Sequence, residues 1–377
     1  MPREARRRPD GGLIRLRRIA IVAAFVALVP GVFSYVSAMS GPSNTALGVR
    51  SVEWLRDNGA AGIVAQIETW YYSLTAPSKG GPPLKALPKV GHPGTVVVAP
   101  KLPVNERPHT VAPVIRPALA GEGVWRPTRA GLGSRPPLLV TTLRDQPDYP
   151  QVVIGLAWID IKRTQVSLYA GRIEPTVSLP SRAMEVPLSA RIRLLATFNS
   201  GFKLSDSLGG VAIYGHTYAP LKNGLATIIG YRDGRVNILN WTHGATAPSS
   251  VLYARQNLPL IVDHGLPSPE LSNNSAWGAT IGGAVLVSRS GIGIDRHGNL
   301  IYAAGSDQTV TSLADALIRA GAVRAMELDI NPYWVSFITY SGFGAIGPSN
   351  LLPTMQRSAS RYLTPDDRDF FAVYLRK

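Results

Sequence analysis

The feature that most constrains this fold is a long series of short segments rich in β-branched and aromatic residues. Most of them are bounded by Gly, Pro, Asn or Asp, which is typical of strands separated by turns. The segments that we expect to form strands cover residues 138–143, 152–161, 165–171, 194–198, 210–214, 226–231, 236–239, 284–288 and 323–328. Because helical periodicity is sparse by comparison, we predict an α+β domain built mainly on antiparallel sheet, with few helices.

One stretch near the C-terminus combines a hairpin with the clearest helix. Apolar and polar residues alternate around Asp-Arg-His-Gly, which predicts a hairpin that turns at His297 and Gly298, because glycine supplies the positive φ of a tight turn. Downstream, Ser312, with Asp315 three residues on, is expected to cap a helix. Gly321 is the expected end of that helix.

The strand that follows this helix ends in two carboxylates. Residues 323–328 run into Asp329-Ile-Asn-Pro, where Pro332 prevents further strand pairing. Glu327 and Asp329 are two positions apart, so in an extended chain they point to the same face, with Cα atoms roughly 6.5 Å apart. The strand end is therefore a candidate site.

Three further places carry polar groups beside predicted strands. Asn199 and the backbone N–H groups around Gly201 could hold an anionic or sugar oxygen, because adjacent N–H groups in a turn form an anion-binding concavity. Asp263 and His264 could act as an acid–base or orienting pair. Arg289 offers a planar fork of donors that suits a phosphate. Taken alone, each of these segments is more often a structural turn or a solvated surface than a binding site.

Composition excludes several classes of site. The chain contains no cysteine, which excludes disulfides, thiolate metal sites and a Cys nucleophile. Its histidines are scattered without metal-ligand spacing. No phosphate-binding loop, dinucleotide fingerprint, zinc-protease helix or Gly-x-Ser-x-Gly elbow is present. We therefore expect no organic cofactor, and whether a divalent ion bridges Asp329 and Asn331 is open.

An N-terminal cluster of arginines precedes an uncharged run. The arginines are Arg3, Arg6, Arg7, Arg8, Arg15, Arg17 and Arg18. Residues 19–39 carry no charge and are long enough to cross the roughly 30 Å hydrocarbon core of a bilayer as one helix. The positive-inside rule then puts the basic tail, residues 1–18, in the cytoplasm and the remainder outside, as in a single-pass plasma-membrane protein. A cleaved signal peptide is the alternative, since Val36-Ser-Ala has the small residues that signal peptidase prefers.

The rest of the chain divides into three segments by pattern. Residues 40–76 read as two short amphipathic helices with a break at Asn58-Gly, and their apolar stripe needs a partner. That partner could be the following domain or the membrane surface, and a plain helical stalk is an equal alternative. Residues 77–122 are rich in proline, which predicts an extended linker that either wraps around the protein or acts as a spacer. Residues 123–377 form the predicted sheet domain.

The formal net charge of +15 limits the classes of binding partner that we expect. A basic balance could indicate nucleic acid, but the predicted topology puts the domain outside the cell. We therefore expect no nucleic-acid partner. A cell-envelope glycan or anionic polymer is the expected partner of the domain, and the lipid bilayer is the expected partner of residues 19–39.

Three blocks together resemble the phosphodiester glycosidase family, over roughly residues 124–340. Asn199-Ser-Gly-Phe is similar to the family's Asn-Gly-Gly-Phe. Arg289-Ser-Gly-Ile-Gly-Ile-Asp matches its Arg-x-x-Ile-Gly segment. The helix that starts near Ser312 and the strand through Glu327-Leu-Asp329 match a helix and strand that end in Leu-Asp-Gly-Gly-Gly-Ser in the family.

The resemblance implies hydrolysis of a sugar-phosphodiester bond, with Asp329 in the central role and Glu327 supporting it. The family's glycine run and Ser are replaced here by Ile330-Asn-Pro-Tyr-Trp. Glycines let backbone N–H groups approach a phosphate closely, and proline has no N–H to offer. A retained phosphate pocket would therefore be rebuilt from side chains such as Asn331, Arg289 and Asn199.

Two readings from other classes stay open at this point. A catalytically inactive module could use the same cleft to bind envelope glycan. A membrane-anchored structural protein would instead bury Glu327 and Asp329 and satisfy them with backbone N–H groups or arginines.

Overall fold

The computed structural model describes residues 11–90, 108–132, 135–278 and 286–376. Most of the predicted basic tail, part of the predicted linker and the start of the strand expected at 284–288 lie outside the described residues. The chain separates into two compact units, Met1–Val64 and Ala65–Lys377.

The N-terminal helices are α1 (Gly11–Met39), α2 (Leu47–Leu55) and α3 (Ala61–Thr75). Within α1, Arg15–Met39 is long and apolar enough to cross a membrane, and a signal sequence would share that description. Between α2 and α3 lies a short π-helical turn, Arg56–Ala60, that contains two non-helical residues, Asn58 and Gly59. The break that the sequence predicts at Asn58-Gly59 is therefore present.

The described part of the second unit is dominated by strands. Residues 108–132, 135–278 and 286–376 contain two helices after α3, namely α4 (Leu204–Ser207) and α5 (Val310–Arg319), besides short 3₁₀ turns. The same ranges contain eighteen strands. In chain order they are β1 (Arg126–Pro127), β2 (Leu138–Leu143), β3 (Ile154–Ile159), β4 (Thr164–Tyr169), β5 (Leu194–Asn199), β6 (Val211–Ile213), β7 (His216–Ala219), β8 (Ala226–Tyr231), β9 (Val236–Asn240), β10 (Val251–Gln256), β11 (Leu260–Asp263), β12 (Leu266–Pro267), β13 (Val287–Asp295), β14 (Leu300–Gln308), β15 (Ala322–Glu327), β16 (Phe337–Tyr340), β17 (Pro348–Asn350) and β18 (Phe370–Leu375).

These strands form three antiparallel sheets. The largest has the order β1-β2-β3-β14-β13-β15-β11-β12. The second has the order β7-β6-β10-β8-β9, and the third has the order β17-β16-β5-β18-β4. The pairings between neighbouring strands are antiparallel, as hairpin-rich sequences favour. The prediction of an α+β fold with mainly antiparallel sheet and few helices is confirmed.

One hydrophobic core is shared by all three sheets. It contains Ile292 from the largest sheet, Ile228 from the second and Phe198 from the third, all fully buried. Phe198 stacks on Phe371 with ring centroids 5.1 Å apart. A second core lies under α5, whose Leu313 and other apolar residues pack with side chains of the largest sheet. Because three sheets meet over one core, their strand ends are brought close together.

The hairpin predicted at His297-Gly298 is formed by β13 and β14. Asp295 fixes the turn, since its Oδ1 accepts hydrogen bonds from the backbone N–H groups of His297 and Asn299 at 2.8 and 2.9 Å. Gly298 has φ of +87°, the conformation for which glycine was expected.

The N-cap of the helix α5 lies three residues before the expected cap. Its N-cap is Thr309, whose Oγ1 accepts from the Ser312 N–H at 2.9 Å, while Ser312 Oγ accepts from the Thr309 N–H at 3.0 Å. This reciprocal capping box satisfies two N–H groups at once, which a cap at Ser312 would not do. The sequence-based cap was therefore wrong, whereas Gly321, with φ of +104°, follows the helix end as expected.

The described end of the proline-rich segment packs on the sheet domain. Val111 is fully buried beside Trp125 in the core under α5. Glu122 forms a buried ion pair with Arg144 at 2.8 Å, and Arg144 also donates to the Pro117 carbonyl at 2.9 Å. Residues 108–122 thus wrap the domain as part of its folded structure.

Candidate active site

Five strand ends from all three sheets converge around the predicted carboxylates. In the largest sheet, β13 and β15 are antiparallel, so the start of β13 lies beside the end of β15. The Ser290 N–H donates to the Asp329 carbonyl at 3.0 Å and continues this pairing. In the third sheet, the end of β5 lies beside the start of β18, where Asn199 is opposite Phe370. The end of β10, from the second sheet, completes the cluster through Asn257.

Arg289 and Glu327 form a fully buried ion pair with an Nη1 to Oε1 distance of 2.5 Å. A register shift in the pairing of β13 with β14, between Val287 and Arg289, marks a β-bulge at this position. Bulges redirect side chains. The side chain of Arg289, at this bulge, also donates from Nε to the Gln308 carbonyl at 3.1 Å. Its Nη1 donates in addition to the Trp277 carbonyl at 3.0 Å.

Glu327 is a carboxyl group whose charge is poorly compensated. Burial raises its pKa to about 7, although the charge and hydrogen bond of Arg289 act in the opposite direction. The neighbouring Asp329 carboxylate raises the pKa of Glu327 further by charge repulsion. Glu327 can therefore carry or release a proton near neutral pH.

Asp329 is held differently, by a guanidinium and a backbone N–H group. Its Oδ2 accepts from Nη2 of Arg368 at 2.8 Å, and both side chains are nearly buried. Its Oδ1 accepts from the Asn331 N–H at 3.0 Å. The Asn331 side chain closes a turn of its own, because its Oδ1 accepts from the Tyr333 N–H at 2.9 Å. The segment after Asp329 is thus a chain of turns stabilised by side chains.

Asn199 uses both amide hydrogens and both lone pairs of its side chain. Nδ2 donates to the Ser200 carbonyl at 2.8 Å and to Ser290 Oγ at 3.0 Å. Oδ1 accepts from Tyr302 Oη at 2.9 Å and from the Ser336 N–H at 3.0 Å. Ser290 Oγ in turn donates to the Asp329 carbonyl at 2.8 Å. Asn199 therefore ties the third sheet to the acidic strand end, with no hydrogen-bonding capacity left over.

Gly201 lies where a side chain approaches the backbone closely. A Cβ added at this position would lie 3.0 Å from Cγ of Asn257 and 3.1 Å from its Nδ2. The Asn257 amide fills that space and donates from Nδ2 to the Glu327 carbonyl at 2.7 Å and to the Leu328 carbonyl at 3.2 Å. Glycine thus lets a side chain from the second sheet reach the end of β15.

Four polar atoms in this cluster are buried and have no hydrogen-bond partner within the described residues. They are Ser200 Oγ, Asn257 Oδ1, Arg289 Nη2 and Glu327 Oε2. Buried polar groups are nearly always paired, so a group of four in one cluster needs an explanation. The set combines one cationic donor, one carboxyl oxygen, one amide oxygen and one hydroxyl. The guanidinium and the hydroxyl can donate to the oxygens of a sugar or a phosphate, and the carboxyl and amide oxygens can accept from sugar hydroxyl groups.

Asp263 and His264 lie apart from this cluster, in the turn between β11 and β12. Both are exposed, and the His264 N–H donates to Asp263 Oδ1 at 3.0 Å. They border an open groove of about 420 Å³ between β9, β11 and β15, which also includes Asn240 and Arg324. The structure therefore brings together Asn199, Gly201, Arg289, Glu327, Asp329 and Asn331, but not the Asp263-His264 pair.

Sequence reasoning missed several members of the cluster. Arg368 forms an ion pair with Asp329, and Ser290 hydrogen-bonds to Asn199. Asn257 donates to the backbone carbonyl of Glu327. Arg368 belongs to a run of four charged residues, Asp366-Asp-Arg-Asp, directly before the apolar strand β18. A charged run beside an apolar strand indicates a buried ionic cluster and could have been recognised in the sequence. Nothing in the sequence around Ser290 or Asn257 indicated their contacts.

The described residues contain no group of three or more His, Cys, Asp or Glu side chains placed to hold a metal ion. Asp329 accepts from a guanidinium and a backbone N–H, and the Asn331 side-chain oxygen accepts from a backbone N–H. The two residues are thus joined by hydrogen bonds.

Comparison with known proteins gives weak similarities. No protein family and no curated protein matches the chain. The chain is similar in structure to the zebrafish N-acetylglucosamine-1-phosphodiester alpha-N-acetylglucosaminidase catalytic domain auto-inhibited by its pro-peptide, at a TM-score of 0.42 and 13% identity, covering 67% of this chain and 88% of that one. It is also similar to a hypothetical protein from Synechocystis, at a TM-score of 0.36 and 14% identity, covering 63% of this chain and 64% of that one. Likenesses this weak establish neither a shared family nor a shared activity, so the function has to be inferred from the chemistry of the site.

Proposed function

We propose that the protein is a membrane-anchored hydrolase that cleaves a sugar-phosphodiester bond in an envelope glycan or anionic polymer outside the cell. The observation that carries this proposal is the unequal environment of two neighbouring carboxyl groups. Glu327 has a pKa of about 7, whereas Asp329 is paired with Arg368 at 2.8 Å. Two neighbouring carboxyl groups in unequal environments are the arrangement used for acid and base roles in glycoside cleavage.

Each residue then has a role that follows from its contacts. Asp329 acts as the base for the attacking water, and Glu327 supplies a proton to the leaving oxygen or orients it. Arg289 offers its Nη2 to the phosphate, since its other donors are already used. Asn199 is a positioning residue, because its side chain is fully committed to Ser200, Ser290, Tyr302 and Ser336.

The reaction balances without a further reactant. The hydroxyl of water bonds to the anomeric carbon, and the bond between that carbon and the phosphate oxygen breaks. Asp329 takes the proton that water releases, and the phosphomonoester leaves. Because a phosphate is a stable leaving group, the demand on Glu327 as an acid is moderate.

A structural role is the second candidate, and the burial of both carboxyl groups favours it. Glu327 is fully buried, and Asp329 is 4% exposed and paired with an arginine, which is what a ligand-free ionic cap would require. The unpaired atoms distinguish the two functions. A cap that served stability alone would leave neither Glu327 Oε2 nor Arg289 Nη2 without a partner, because each such atom costs about 1–3 kcal/mol.

The membrane anchor in this proposal is α1. Its Arg15–Met39 segment is apolar, and none of the described residues in its most apolar window is buried, as expected for a helix surrounded by lipid. The arginines before it favour a cytoplasmic N-terminus, which places the sheet domain on the extracytoplasmic side.

The test is release of sugar from synthetic sugar-1-phosphodiesters by the purified full-length protein. Asp329→Asn should lower the rate by about a hundredfold or more, the usual contribution of a positioned acid or base. Asp263→Asn is the matched control, since it removes an exposed carboxylate from the separate groove and should leave the rate unchanged. Folding of each variant is checked by circular dichroism, because Asp329 also balances the charge of Arg368.

Wild-type turnover in Asp329→Asn would contradict the assignment. A wild-type protein that retains envelope polymer on a column but releases no sugar from any phosphodiester would instead support a binding module.

A further inference from the structure

The second helix folds back along the end of the first. Arg50 in α2 donates from Nη2 to the carbonyls of Ala38 and Ser40, both at 2.8 Å. Four residues later, Trp54 donates from Nε1 to Ser34 Oγ at 3.0 Å. As the chain advances along α2, its partners move backwards along α1, so the two helices are antiparallel.

This direction determines where α2 ends. Ser34 lies five residues before Met39, the last residue of α1, which corresponds to about 7 Å along a helix axis. The Tyr35 ring packs edge-on against Trp54 at 5.2 Å, and these two residue types favour the boundary between lipid and water. If α1 spans the bilayer, α2 therefore runs back towards the membrane and ends at its surface.

The next helix carries an exposed apolar stripe. Only the short turn that contains the non-helical Asn58 and Gly59 separates α2 from α3. The large apolar side chains of α3 that are more than half exposed recur at intervals of three and four, which places them on one face. They are Ile63, Ile67, Trp70, Tyr71 and Leu74. Ala65, on the opposite side, is buried.

The composition of α3 indicates which kind of membrane or protein surface its apolar stripe would contact. Residues 61–75 contain no Lys or Arg, and Glu68 is their single charged residue. Attraction to anionic headgroups therefore contributes nothing. The stripe combines aliphatic residues with Trp and Tyr, the side chains that partition into the interfacial region of a bilayer.

We propose that α3 lies in the outer interface of the membrane with its apolar stripe buried in lipid, as a second membrane contact beside α1. The inference rests on the proposed function only in that α1 must span the bilayer. The competing occupants of the stripe are the chain's own sheet domain and a second copy of the chain.

The absence of native cysteine makes a direct test available, because single-Cys variants can be labelled without background. Full-length protein is placed in nanodiscs of zwitterionic lipid with one copy per disc. Nitroxide labels are attached at Ile67→Cys and Leu74→Cys on the stripe, and at Glu68→Cys as the matched control on another face. A label at Val26→Cys in α1 reports on the anchor. Collision rates with oxygen, which enters lipid, and with a water-soluble nickel chelate are then measured.

The oxygen-to-nickel ratio should be several-fold higher at residues 67 and 74 than at Glu68→Cys, and highest at residue 26. Raising the salt concentration should not change the ratio at residue 67, and adding Trp70→Glu to Leu74→Cys should lower the ratio at residue 74 to that of the control.

Ratios at residues 67 and 74 equal to the control, with residue 26 still in lipid, would overturn the inference and leave the anchor standing. Protection from both reagents at residues 67 and 74 would show that protein covers the stripe, which also overturns it. An aqueous residue 26 would overturn the anchor and this inference together. None of these measurements depends on hydrolysis, so the catalytic proposal is tested separately.

Discussion

Two buried arginine–carboxylate groups in the sheet domain differ in how completely they are paired. Asp366 accepts from Nε and Nη2 of Arg361, from Nη2 of Arg357 and from the Arg368 N–H, at 2.7 to 3.1 Å. Glu327, equally buried, accepts from Arg289 through Oε1, and its Oε2 has no partner among the described residues.

The pKa values of the two carboxyl groups move in opposite directions. Burial acts to raise the pKa of Asp366, but the charge and hydrogen bonds of Arg361, together with Arg357, lower it below its ordinary value. Burial raises the pKa of Glu327 to about 7, and one arginine does not offset it. At equal burial, the number of donors thus decides whether a carboxyl group is a fixed anion or a group that exchanges protons near neutral pH.

The largest effect is expected on the fully paired side. Asp366→Asn removes the anion that balances Arg361 and Arg357, and breaking a buried ion pair from one side costs about 3–5 kcal/mol. We expect a loss of this size in the free energy of unfolding, measured by urea titration of the purified protein. Asp233→Asn is the control, because it breaks an exposed pair with Arg235 and should leave the midpoint nearly unchanged. Equal midpoints for both variants would contradict a structural role for Asp366.

The next effect is a pH dependence that belongs to the incompletely paired side. The pKa of Glu327 is raised above its unfolded value of 4.5, so its stabilising contribution is fully present below pH 4.5 and is lost as the pH rises through 7. The difference between this unfolded value and the folded pKa of about 7 corresponds to about 3 kcal/mol in the free energy of unfolding. Asp145 adds a similar slope, because burial of its carboxyl group also raises its pKa to about 7.

To separate the two contributions, the free energy of unfolding is measured for Asp145→Asn and for the double variant Asp145→Asn/Glu327→Gln. The pH is varied from about 5 to about 8, because this range contains the raised pKa values. The single variant should lose stability as the pH rises, and the double variant should lose much less. Identical slopes would show that Glu327 does not titrate in this window.

The smallest effect compares two buried tyrosines. Tyr302 Oη donates to Asn199 Oδ1 at 2.9 Å and lies 3.3 Å from the Ser336 carbonyl. Tyr253 Oη is buried without a partner among the described residues. Tyr302→Phe should cost about 1–2 kcal/mol in the free energy of unfolding, whereas Tyr253→Phe should be neutral or slightly stabilising. A larger loss in Tyr253→Phe than in Tyr302→Phe would contradict the described pairing of these hydroxyl groups.

Much of the fold was readable from local pattern. Residues 138–143 and 226–231 were predicted as strands with the bounds that β2 and β8 have. Strands β16 and β18 were missed, although β18 lies between β5 and β4 in the third sheet and carries six consecutive apolar or aromatic residues. Such a run is ambiguous in sequence, because a buried strand and part of a buried helix have the same apolar signature.

The candidate site was readable only in part. The spacing of Glu327 and Asp329 and the presence of Arg289 and Asn199 pointed to the region where the cluster lies. Their partners could not be predicted, because Arg368 is 39 positions from Asp329 and Asn257 is 70 positions from Glu327. Contacts over such separations depend on which strands become neighbours, and local periodicity carries no information about that order.

The sequence by itself determined the apolar N-terminal helix, the antiparallel character of the domain and the carboxylates at a strand end, because each follows from residue types at short spacing. The tertiary structure alone decided that Asp366 is fully paired and that Glu327, among the described residues, is not. Burial and donor number are set by the meeting of three sheets, so two carboxyl groups of the same chemistry acquire pKa values that move in opposite directions.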